Sequence, residues 1–143
     1  MDFQIREYTS FNCEEVLALY ESVGWTGYTC RFEVMERAFA QSLKIYGAYV
    51  QEKLVGLIRA VGDGMTIVYI QDLLVNPSYQ RMGIGKALMG RILEEYAAVY
   101  QKVLSTDDTE KTVAFYRQMG MKAECEIGCR LFMCCRRING TKF

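Results

Sequence analysis

Two glycines one residue apart, Gly83 and Gly85, stand within Gln80-Arg81-Met82-Gly83-Ile84-Gly85-Lys86-Ala87, between a β-branched run and a strongly amphipathic segment. Residues without a Cβ allow torsions and close approach that a side chain blocks, so successive amide N–H groups can converge on an anion. A helix starting at this point adds unpaired donors and partial positive charge. Such a nest suits a pyrophosphate, with Arg81 and Lys86 adding charge at its rim, where water screens it. The plain alternative is that Gly83 and Gly85 only permit a tight strand-to-helix turn.

Other phosphate-binding patterns fit less well. A dinucleotide fingerprint needs a third glycine, but Leu88 occupies that position, and the turn lies at mid-chain rather than opening a first βαβ unit. No G-x-x-x-x-G-K-[ST] is present. Histidine is absent altogether, which removes Ser-His and Cys-His nucleophiles and the usual zinc spacings. The six cysteines, Cys13, Cys30, Cys125, Cys129, Cys134 and Cys135, lie in ordinary helical or strand sequence with no C-x-x-C pair and read as reduced thiols; no metal site is expected.

Charge narrows the partners further. Lys plus Arg and Asp plus Glu number 17 each, so no basic excess exists for a nucleic-acid backbone or an anionic membrane. No run of 18 apolar residues occurs, and the opening MDFQIREY has neither the basic nor the apolar region of a secretory signal, so the expected address is cytoplasmic.

The elements that must position the turn follow from periodicity. Phe3 to Glu7 reads as a strand, and Asn12 caps a helix carrying Val16, Leu17, Leu19 and Tyr20. Gly24 to Gly27 breaks it, and Phe32, Met35, Ala38 and Phe39 mark a second helix. Ile45 to Val50, Leu54 to Ala60 and Thr66 to Val75 form a three-strand meander that ends at Asn76-Pro77. Ala87, Leu88, Ile92, Leu93 and Tyr96 define a helix lasting to about Tyr100, a crossover between parallel strands. A strand at Lys102 to Ser105, a helix closing at Gly120, and two last strands near Lys122 to Glu126 and Arg130 to Arg136 complete the order. The 143 residues suit a single domain, 1–143, of the α+β class. Its mixed, mostly antiparallel central sheet has about seven strands, flanked by about four helices.

Asp72-Leu73-Leu74-Val75-Asn76-Pro77 followed by Gln80-Arg81-Met82-Gly83-Ile84-Gly85 resembles motif A of the GCN5-related N-acetyltransferases, usually written [QR]-x-x-G-x-[GA]. Ala114-Phe115-Tyr116-Arg117-Gln118-Met119-Gly120-Met121 resembles that family's next block, and with the order of elements the resemblance covers nearly the whole chain. It implies acetyl transfer from acetyl-CoA to a primary amine by direct attack in a ternary complex. Gln80, Arg81, Met82, Gly83, Ile84, Gly85 and Lys86 would hold the pyrophosphate. The exposed backbone of Leu73 and Val75 would pair with pantetheine, and an amide near Leu74 would polarise the thioester carbonyl. Tyr116 would protonate the departing thiolate. Thr109 stands where many relatives carry a cofactor-contacting asparagine, and Met121 replaces the usual phenylalanine after Gly120.

Several roles stay open on the residues alone. Asp72 is either the base that takes the amine proton or a structural hydrogen-bond partner at a sheet edge. Simple alternation puts Tyr69, a further candidate base, on the opposite face of the strand. Trp25 and Tyr28 lie where the family commonly forms its acceptor pocket, and the same aromatics are equally suited to covering core. The acceptor is a small-molecule amine or a protein N-terminal or lysine amine; a homodimer through the last strands, with Cys134 and Cys135, is a further expectation. The competing readings are an acyl-CoA-sensing module without chemistry and a nucleotide-binding redox protein.

Overall fold

A computed structural model describes residues 2–135 of the chain. Strand β1 (Gln4–Glu7) is followed by α1 (Cys13–Ser22), a single turn α2 (Thr26–Thr29) and α3 (Phe32–Ala40). Helix α1 begins at its cap, where the Asn12 side chain accepts from the N–H of Glu15 at 3.2 Å. Val16, Leu19 and Tyr20 of α1 and Met35 and Phe39 of α3 are buried, the stripe that three-and-four spacing presents to a sheet.

Strands β2 (Lys44–Val50), β3 (Lys53–Gly62) and β4 (Ile67–Val75) form the meander, and α4 (Ile84–Glu95) leads to β5 (Gln101–Leu104) and α5 (Glu110–Gln118). Gln51 and Glu52 take φ of 48° and 65°, the geometry of a tight two-residue hairpin. The sheet runs β1-β2-β3-β4-β5, antiparallel except for the parallel β4–β5 pair. The α+β class and mixed sheet are as expected from the sequence.

Three expectations are corrected. Among the described residues the sheet has five strands rather than about seven. Residues Glu124–Glu126 form a 3-10 turn, and 130–135 carry no regular element; Arg136 lies outside the described residues. Local bonds such as Glu126 N–H to Ala123 C=O at 2.9 Å satisfy the turn. Apolar composition alone does not make a strand, which forms only where its backbone pairs with a neighbour. Helix α4 stops at Glu95 rather than near Tyr100. The Lys102 ammonium donates to the carbonyls of Tyr96 and Val99, each at 3.2 Å, so the chain beyond the helix is fixed as a turn.

Strand β4 serves two cores. The pairs Arg59↔Asp72 and Ala60↔Ile70 leave Gln71 as an extra residue, a β-bulge. Before it, Val68 and Ile70 pack with Ile84, Leu88, Met89 and Ile92 of α4. After it, Leu74 packs with Val16, Leu19, Tyr20, Met35 and Phe39 of α1 and α3. The extra residue thus inverts which face each later side chain joins.

Candidate cofactor and acyl-transfer site

The bulge also marks where β4 loses one neighbour. Pairing with β5 covers only Ile67 to Ile70, so residues 71–75 have an open edge on that side. The N–H of Asn76 donates to the C=O of Val55 at 2.8 Å, which fixes the phase of the β3–β4 ladder. Opposed residues alternate between bonded and non-bonded pairs, so Leu74 bonds across to Leu57, while the N–H and C=O of Leu73 and Val75 face the open edge. The amide expected near Leu74 is therefore turned into the ladder, and Leu73 offers the free N–H in its place.

The glycine turn sits at the end of that edge. Arg81 and Gly83 have φ of 65° and 84°, and Gly83 caps α4 in the left-handed conformation. The first bond inside the helix runs from Ala87 N–H to Gly83 C=O at 3.0 Å, so the N–H groups of Ile84, Gly85 and Lys86 have no partner within it. A Cβ on Gly85 would lie 3.7 Å from Phe115 and 3.9 Å from Val75, ordinary contacts that leave the protein itself no reason to refuse a side chain. The space is a cradle lined by the backbone N–H groups of Ile84, Gly85 and Lys86, a donor set of the kind that phosphate oxygens need. Arg81, Gly83 and Lys86 are exposed at its rim, Met82 is half-buried and Ile84 anchors the helix in the core.

Helix α5 closes the side of this cradle through Phe115. Tyr116 is half-buried beside it, the two rings 5.0 Å apart and edge-on. Burial, and then the negative charge of Asp107, push the Tyr116 phenol up, which keeps its proton in place. Thr109 is the N-cap of α5: it accepts from the N–H of Thr112 at 3.3 Å, and its hydroxyl donates to Asp107 at 2.9 Å. Hydrogen bonds from the Thr109 and then the Thr112 side chain hold the Asp107 carboxyl below its usual range.

Asp72 lies on the other face, toward α1. It is 1% exposed; its Oδ2 accepts from Arg59 Nε at 2.7 Å and from the Tyr20 hydroxyl at 2.8 Å. Its Oδ1 is buried with no hydrogen-bond partner among the described residues. The carboxylate thus has structural partners, and β4 is inside the sheet at this point on the β3 side. Arg59 was the residue that sequence reasoning passed over. The signal was available: one arginine amid Leu54-Val55-Gly56-Leu57-Ile58-Arg59-Ala60-Val61 needs a buried acid. Because of the bulge, Tyr69 shares the α1 face with Asp72 instead of opposing it, and its hydroxyl donates to Ser105 at 2.9 Å.

Trp25 is half-buried against the α1–α3 core, its ring 5.9 Å from Tyr20 and edge-on. Tyr20 therefore joins Trp25 to Asp72. Tyr28 lies within the single turn α2. Among the described residues, no group of three His, Cys, Asp or Glu side chains is placed to hold a metal ion, and no helix is long and apolar enough to cross a membrane.

Comparison with known proteins bears on this geometry. The family profile described as "Acetyltransferase (GNAT) family" matches residues 10–121. A GNAT-family acetyltransferase structure from Streptococcus pneumoniae is 42% identical with a TM-score of 0.86, over 96% of this chain and 100% of that one. AAC(6')-Iy in complex with the bisubstrate analogue CoA-S-monomethyl-acetylneamine, at 14% identity and a TM-score of 0.71 over 96% of this chain and all of that one, shares the fold. Histone acetyltransferase TAP1 of Glycine max is 33% identical over 76 residues, 53% of this chain and 33% of that protein. The chain spans about a third of the length of the first curated relatives it matches. An uncharacterized N-acetyltransferase, ycf52-like, from Prochlorococcus marinus is 29% identical over 116 residues, 77% of this chain and 62% of that protein. An anion cradle, an open strand edge beside it and this match across most of the chain agree: the protein belongs to the acetyltransferase (GNAT) family.

Proposed function

We propose that the chain transfers the acetyl group of acetyl-CoA to a primary amine by direct attack within a ternary complex. The observation that carries this reading is the open edge at Leu73 and Val75 lying next to the glycine cradle. Acetyl-CoA supplies a thioester whose carbonyl carbon an amine can attack. Gln80 to Lys86 bind its pyrophosphate through backbone N–H groups. The N–H and C=O of Leu73 and the N–H of Val75 receive an extended, amide-bearing arm, which answers the need of otherwise unpaired strand groups, while the Val75 C=O is taken by the Gln80 side chain.

The N–H of Leu73 is the oxyanion donor, a role normally worth about 3 kcal/mol. As the C–N bond forms and the C–S bond breaks, the departing sulfur takes the Tyr116 proton, and the proton shed by the acylated nitrogen passes to solvent, which returns one to the phenolate. Thr109, at the N-terminus of α5, lies along the same wall. Asp72, paired with Arg59, is held toward α1 one residue before Leu73. Trp25 and Tyr28 border the acceptor side. The acceptor is a small-molecule amine or a protein N-terminal or lysine amine; the name of one relative, a histone acetyltransferase, supports the protein class.

The same proposal includes a reducing, cytoplasmic setting, supported by cysteines that form no disulfide. It also includes a homodimer, supported by Ile127, Leu131, Phe132 and Met133, all exposed within one short stretch; sedimentation at two protein concentrations tests it. The test of the activity is an amine panel with acetyl-CoA, following free thiol, alongside calorimetry with CoA. Thiol release with at least one amine is the expected result; folded protein with neither binding heat nor turnover would sink the reading.

A further inference from the structure

The Arg59–Asp72–Tyr20 cluster is costly for what it contributes to stability. A buried ion pair loses hydration that its attraction only partly returns, and an apolar replacement is often equally stable. Here the arrangement is worse than usual, because both donors converge on Oδ2 and leave Oδ1 buried with no partner among the described residues. Its location accounts for its presence better than its energy does. Asp72 is the first residue after the extra residue Gln71, and the last before the outward-facing amide of Leu73.

We infer that Arg59 and Tyr20 are positioning residues: by holding Asp72 toward α1 from two elements, they keep β4 inverted at the bulge and so keep Leu73 and Val75 facing the open edge. Arg59 reaches Asp72 from β3, across the ladder, and Tyr20 reaches it from α1. Two anchors at different angles fix a side chain's direction where one leaves it free to swing. Without them, the strand can return to simple alternation, and Leu74 rather than Leu73 presents its N–H to the gap. The active role of the Leu73 amide rests on the acyl-CoA reading above; the clamp itself does not.

Amide hydrogen exchange on the free protein tests the clamp without any turnover. In the wild type, Leu74 should exchange at least about tenfold more slowly than Leu73 and Val75, because only Leu74 is in the ladder. In the double variant Arg59→Met with Asp72→Leu, that contrast should fall below about threefold while the unfolding temperature is kept or raised. Tyr20→Phe removes one anchor, retains the ring packing and should narrow the contrast partway; it serves where the double variant does not fold. An unchanged contrast in a folded variant overturns the proposal, as does a contrast lost only in step with global unfolding. Adding CoA to the wild type separates the two ideas: failure to slow Leu73 and Val75 exchange counts against the acyl-CoA reading alone. With an amine substrate, Tyr20→Phe should lower kcat severalfold more than it raises KM for acetyl-CoA, a split that mere destabilisation does not give.

Discussion

The Gln80 side chain donates from Nε2 to the carbonyl of Val75 at 3.1 Å, tying the first residue of the glycine turn to the last residue of the strand before it. The bond lies on the side of Val75 that faces away from β3, so it holds the cradle and the open edge in one fixed relation. A net hydrogen bond is worth about 0.5–1.5 kcal/mol. Gln80→Ala should therefore weaken CoA binding by about two- to tenfold, read by calorimetry, with little change in unfolding temperature because Gln80 is exposed.

Gly83 and Gly85 should fail differently. Gly83→Ala meets no atom within 4 Å, yet forces a side chain into φ +84°, so it should cost about 1–2 kcal/mol of stability. Gly85→Ala sits in the first turn of α4 with only ordinary contacts to Phe115 and Val75. It should unfold at the same or a higher temperature, since alanine favours helix, while CoA affinity falls about tenfold or more. Thermal unfolding and calorimetry on the same samples check both.

Tyr116→Phe leaves the ring stacked beside Phe115 and removes only the hydroxyl. As proton donors contribute about 10²–10⁴-fold, kcat should fall by about a hundredfold or more with CoA affinity nearly unchanged. Asp107→Asn removes a negative charge that helps raise the phenol, so the alkaline limb of the kcat profile should move to lower pH. An unmoved limb together with full activity in Tyr116→Phe would assign the proton to another group.

Two structural tyrosines set an alkaline limit on the fold. Burial pushes Tyr8 and Tyr96 up to about 12 from the ordinary 10.0. A phenol that resists ionising in the folded state stabilises it below pH 10, and that contribution is lost as pH climbs toward about 12. The unfolding temperature should drop steeply across that window, and Tyr8→Phe should flatten part of the drop. Circular dichroism melts from pH 9 upward provide the check.

Local chemistry was legible in the sequence and long-range pairing was not. Asn12 announced α1, and Gly83 announced the turn, because a side-chain cap and a left-handed torsion each depend on one residue type. The extra residue at Gln71 leaves no mark in composition, so simple alternation put Tyr69 and Asp72 on opposite faces, and the amide that the resemblance placed near Leu74 lies inside the ladder. Arg59 and Asp72 are thirteen positions apart, and only the ladder brings them together. Leu131, Phe132 and Met133 have the composition of a strand, but they pair with no strand among the described residues.

The mid-strand insertion divides responsibility along a single peptide. Before it, Val68 and Ile70 are the side chains aimed at α4; after it, Leu73 and Val75 take that face while Leu74 passes to α1 and α3. Deleting residue 71 would exchange the two faces for the whole second half at once, so both cores depend on one surplus residue.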